Sequence, residues 1–154
     1  MATLTVTHSE SLVLDGRNRS ASKTFSITNI EEIYERTLTI PQDASTVLAA
    51  FGADVEGASV ELPVANVKYI RVTNTGSIIP AKLAVINANN NYQVVLDPGQ
   101  SHVLGSADDL MIAEANASPI FGSTLVDVES LSAIAVGGAS DTATLEVYIA
   151  SAAS

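Results

Sequence analysis

Any acid–base, nucleophilic or metal chemistry in this chain has few side chains to draw on. The only imidazoles are His8 and His102, and the absence of cysteine excludes thiolate ligands, thiol nucleophiles and disulfides. A Ser-His-Asp site would need one of those histidines, yet Ser123 in FGSTL lacks the Gly-x-Ser-x-Gly frame that presents a serine on a sharp turn. Glu31, Glu32, Glu35, Asp127 and Glu129 could supply the two carboxylates of a glycosidase. Acidic residues on strands and turns are usually solvated, and with no Trp, four Tyr and three Phe there are few rings to stack on a sugar. Asp108 and Asp109, with Asp97 and Asp54, offer oxygen ligands for calcium, but their spacing fits no calcium loop. The expectation is no enzyme, no cofactor and no metal site.

LDPGQSHVL sets Gly99 three residues before His102, a Gly-x-x-His spacing similar to the second metal-binding motif of cupins, which are jelly rolls. A cupin site also needs a His-x-His pair, and none is present. The expectation here is a turn, with Pro98 presetting φ, Gly99 accepting a positive φ, and His102 on the strand that follows. Two Asn-x-Ser sequons, at Asn18 and Asn116, carry no expectation of glycosylation without an export signal, and Pro119 follows the second.

What remains are residues suited to touching protein. Tyr34 and Arg36 fall on one side of YERTLTI with Leu38 and Ile40, while Tyr69 and Arg71 share a side of VKYIRVTN. Tyrosine and arginine anchor protein interfaces, and an edge-strand charge also blocks stray strand pairing. Tyr34, Arg36, Tyr69 and Arg71 are therefore the candidate contact residues, with Thr3–His8 and Tyr34–Ile40 as candidate contact strands. Asn87, Asn89, Asn90 and Asn91 make the most polar turn, expected as a hairpin end tolerant of positive φ, with a contact surface as the alternative.

The elements that must position these residues alternate with period two. TLTVT, KTFSIT, YERTLTI, SVELPV and TATLEVYIA each place apolar side chains on one face, and KLAVI and LSAIAV are apolar on both. DGRNRS, PQDAS, NTGS, NANNN, DPG and VGGASD punctuate them with turn formers. The spacing predicts an all-β, two-sheet antiparallel sandwich, jelly-roll-like, of about eight to ten short strands. STVLAAF is ambiguous, and DDLMIAEANA could form a turn or two of helix behind Asp108. One domain over 1–154 is expected, with a frayed tail at about 150–154.

At this length roughly two thirds of the unfolded chain's surface can be buried without cross-links. Seventeen acidic residues against seven basic give a formal charge of −10, which opposes direct binding of a polyanionic nucleic acid. MATLTVTHSESL lacks the charged and apolar regions of a signal peptide. No apolar run approaches the ~18 residues of a bilayer span. A cytoplasm-like setting without membrane association is expected.

Read end to end, the sequence resembles a family of small virion structural proteins of tailed, especially marine, bacteriophages. TLTVTHSESLVLDG resembles that family's first hairpin with its L-x-L-x-G-type turn, and NIEEIYERTLTIP its second, where a Tyr-x-Arg strand runs to a proline. VKYIRVTNTGS and YQVVLDPGQSHVL resemble the central sheet, and SLSAIAVGGASDTATLEVYIAS the closing strands. The resemblance covers nearly the whole chain and implies a structural component of the particle. Its most concrete form is a head decoration or cement protein on the outer capsid surface, made in the host cytoplasm. Its partners would be the major capsid protein or other virion proteins and further copies of itself, with a trimer expected. The alternatives are a tail, neck or fibre-associated protein, or a carbohydrate-binding module for host adsorption.

Overall fold

The computed structural model describes residues 1–52, 61–88, 90–108, 110–111 and 125–152. Among them the chain forms β1 (Ala2–Glu10), β2 (Val13–Leu14), β3 (Arg17–Asn18), β4 (Ala21–Pro41), β5 (Thr46–Phe51), β6 (Glu61–Leu62), β7 (Val67–Asn74), β8 (Ala81–Ile86), β9 (Asn91–Leu96), β10 (Ser101–Leu104), β11 (Ser130–Ala135) and β12 (Thr142–Ala152). A short 3-10 turn, Val64–Asn66, lies between β6 and β7.

The pairing follows one long hairpin. β8 pairs with β9, β7 with β10, β5 with β11 and β4 with β12, each antiparallel, so sequence-distant strands nest outside sequence-near ones. Rolling that hairpin brings β12 onto β7 and β11 onto β8. The result is two five-stranded sheets, ordered β1-β4-β12-β7-β10 and β6-β5-β11-β8-β9, whose eight shared strands have jelly-roll interleaving. Among the described residues only the short β5–β6 pair is parallel.

Alternation decides which side chains the two sheets trap. Ile70 and Val72 of β7, Leu145, Val147 and Ile149 of β12, and Ile40 of β4 point in from the first sheet. Leu48 of β5, Leu83 and Val85 of β8, and Leu131 of β11 answer from the second. Removing such a side chain from water is worth about 1.5–3 kcal/mol, so this layer holds the body together. Tight turns close the hairpins. Pro98-Gly99 forms the expected turn, with Gly99 at φ 84 and the Gln100 amide donating to the Asp97 carbonyl at 2.9 Å. Asn87 and Asn90 pair backbone to backbone at the β8–β9 end, as expected of a hairpin tip. Asn74, fully buried, ends β7; its amide donates to the Ile79 and Leu96 carbonyls at 2.9 Å each, and its side-chain oxygen accepts from the Gly76 amide at 3.0 Å.

Four expectations need correction. The strands are not all short: KTFSIT and YERTLTI are one 21-residue strand, β4, because the NIEE between them holds a bulge rather than a turn. The end of the chain is not frayed through residue 152, since Ala150 and Ser151 are buried in β12, which carries pairing on both sides. Of SVELPV, Glu61 and Leu62 form β6 but Val64 leaves the strand for the 3-10 turn after Pro63, and Ser59 and Val60 lie outside the described residues. KLAVI is buried on one face alone, with Lys82 exposed, whereas LSAIAV is largely buried on both. STVLAAF resolves as β5. Of DDLMIAEANA, only Asp108, Leu110 and Met111 lie within the described residues, and Met111 bridges to Val126.

Candidate protein-contact site

β4 serves two masters. Its second half, from Ile30 to Pro41, pairs with β12 inside the body, while its first half, from Ala21 to Ile27, pairs with β1 alone. The change-over falls at Asn29, whose φ of 63 accompanies a slip in the β1 register. Asparagine tolerates this left-handed conformation, and a bulge bends a strand and tightens its twist. From there β1 and the start of β4 leave the body as an arm, with every residue from Thr7 to Ser26 exposed.

The tip of the arm is the β2–β3 hairpin. Asp15 and Gly16 both take positive φ, 51 and 73, the pair of conformations a type I′ turn demands. Ser20 Oγ accepts from the Leu12 amide at 3.2 Å, and Asn18 Oδ1 from the Ser20 amide at 2.8 Å. Farther down, the Thr7 and Thr24 hydroxyls meet at 2.9 Å, and His8 stacks on Phe25 with centroids 5.9 Å apart. Leu12, Val13, Leu14 and Phe25 stay open to solvent along this ribbon.

Where the arm joins the body, Leu4, Val6 and Ile27 pack on Ile30, Tyr69 and Ala150, forming a second, smaller apolar cluster on the outer side of the first sheet. Beside it runs a groove of about 480 Å³, walled by Leu4–His8 on one side and by Ser101 and Val103 of β10 on the other. Tyr69, Arg71 and Tyr148 make its floor. Arg71 pairs with Glu146 and lies 5.4 Å from the centre of the Tyr148 ring, which meets Tyr69 edge-on at 6.2 Å. Burial pushes the Tyr69 hydroxyl above its usual pKa, against the opposing pull of the Arg71 charge.

The four contact candidates thus divide. Tyr69 and Arg71 do share a face, and it lines the groove. Tyr34 and Arg36 stand opposite Ile149 and Val147, core residues, and so lie on the other face of the sheet. Tyr34 is half-buried against the core and Arg36 is exposed. The two pairs form no common patch. None of the four tyrosines is exposed, although Tyr69 and Tyr148 reach the groove.

The candidate chemistry is scattered as well. His8 is on the arm, and His102 stands opposite Val72 on the inward side of β10, where its Nε2 lies 3.1 Å from the Tyr92 hydroxyl. Burial lowers the pKa of His102 and raises that of Tyr92. Among the described residues no three His, Asp or Glu side chains gather as metal ligands. Ser123, Asn116, Asp54 and Asp109 lie outside the described residues. Sequence reasoning named β1 as a contact strand but missed the arm tip, whose signal was the run LVL set against DGRNR. Compared with known family models, curated proteins and solved structures, the chain matches none.

Proposed function

We propose that the chain is a structural protein of a bacteriophage particle, a decoration or cement protein that binds the outer capsid surface and bridges neighbouring capsomers. The observation that carries this reading is the hairpin that continues β1 and β4 beyond the jelly-roll body, with Leu12, Val13 and Leu14 at its tip exposed. The resemblance of the sequence to small phage virion proteins supports the same role. Copies associate with one another, a trimer being the expected unit, and hold the major capsid protein against the outward pressure of packaged DNA. Each contact can be weak, because many copies on a symmetric lattice act together. The acidic body keeps the free protein soluble in the host cytoplasm before assembly.

Purified protein incubated with expanded empty heads should co-sediment at a fixed stoichiometry. Binding to tails alone would overturn the head assignment in favour of a tail, neck or fibre role. Copy number separates the same two cases, since hundreds per particle fit the head and small multiples of six fit the tail or its vertex. A sugar-binding reading has one observation behind it, the groove floored by Tyr69, Arg71 and Tyr148. A glycan-array hit abolished by Tyr148→Ala would favour it, and an empty array would remove it.

A further inference from the structure

We infer that the arm tip docks on the body of a second copy of this chain, through a face made of Leu12, Leu14, Arg17 and Arg19. The pairing of the hairpin puts these four together. Leu14 stands opposite Arg17, and the Arg19 amide donates to the Leu12 carbonyl at 2.8 Å, so alternate residues of both strands share one side. Leu12 and Leu14 are 51 and 54 % exposed, and both arginines are exposed. Two leucines and two guanidinium groups on one side of a ribbon suit a surface that is apolar and acidic together.

The body of another copy is such a surface. Residues 1–29 carry Arg17, Arg19 and Lys23 against Glu10 and Asp15, a formal +1, which leaves −11 on the rest of a chain whose total is −10. At the root of the arm, Ile33 is 58 % exposed, with Glu31, Glu32 and Glu35 exposed around it. Period two sets Ile33 and Glu35 on one side of β4, an apolar residue beside a carboxylate, the complement of the tip. The contact cannot form within one chain. β4 runs from Asn29 out to Ala21 as extended ribbon, roughly 25 Å at 3.3 Å per residue, and carries the tip away from its own Ile33. A two-stranded ribbon is marginally stable alone, so a docked tip also explains how so long an arm keeps its form. Arm-to-body contact joins two different patches and closes as a reciprocal pair or as a ring such as the expected trimer.

The inference rests on the self-association proposed above. The full chain is measured by sedimentation equilibrium at low and high salt, with circular dichroism confirming that each variant folds. Association is expected for the parent chain, weaker at high salt. Leu12→Ser with Leu14→Ser, or Arg17→Glu with Arg19→Glu, should weaken it about tenfold or more. Adding Glu35→Lys to the arginine variant should restore part of that loss. A chain that stays monomeric, tip variants that associate like the parent, or a monomer whose tip binds only anionic lipid vesicles would each overturn the contact. Heads that still bind tip variants fully would leave the virion role standing without it, and heads that bind no variant or parent would remove the role while the arm contact stood.

Discussion

The body and the arm are built from the same alternating strands and differ in what lies beneath them. In β12 each inward residue, from Ala143 to Ile149, meets the opposite sheet and is lost from solvent. In β1 only Leu4 and Val6 find an apolar neighbour; beyond them the ribbon has two faces of water. One region is therefore held by burial and the other by its turn and cross-strand contacts, which total far less. The arm thus keeps Leu12, Val13, Leu14 and Phe25 outside the core.

Substitution should expose the inequality most sharply. Leu145→Ala removes a fully buried side chain between the sheets and should cost about 2–5 kcal/mol, read from the urea midpoint. Leu12→Ser with Leu14→Ser should shift the same midpoint by less than about 0.5 kcal/mol. Equal effects would mean that the arm belongs to the body's cooperative unit.

Asn74→Ala tests the polar part of the body. It leaves the Ile79 and Leu96 carbonyls and the Gly76 amide without their side-chain partner and should cost roughly 1–3 kcal/mol. On the arm, Gly16→Val places a β-branched residue at φ 73, which should open the tip by about 1–2 kcal/mol. Faster amide exchange from Leu12 to Arg19, with an unchanged urea midpoint, is the expected pattern.

The smallest effect concerns pH. Burial lowers the pKa of His102 below its unfolded value of 6.5, so the folded state disfavours the charged ring. Its contribution is fully present above pH 6.5 and declines as pH falls through 6.5 toward the lower folded value. His102→Gln should flatten that part of the stability profile relative to the parent.

Much of this was legible because it is local. Asp15-Gly16 and Pro98-Gly99 announce their turns by residue type, and the alternation of TATLEVYIA announces β12. Strand order was not legible, since the partners of β12 are β4 and β7, far away in sequence, and backbone pairing leaves no residue signature. For the same reason Ala150 and Ser151 read as a small-residue tail, although neighbours on both sides bury them. The two Tyr-Arg pairs look alike in sequence, yet Tyr34 follows core parity and Tyr69 opposes it, a difference fixed only by which face of the sheet meets its partner. The arm was hidden because TLTVT alternates like any core strand; nothing in it records that Leu4 and Val6 pack on the outer side of the first sheet and that the ribbon beyond them meets water.

Hydrogen exchange on the full chain, dilute and then bound to heads or to itself, tests the division most directly. Amides from Thr7 to Ser26 should exchange quickly in the dilute chain and slow strongly on association, while those of β7, β11 and β12 stay protected throughout. An arm already protected in the dilute monomer, or one that association leaves untouched, would contradict it.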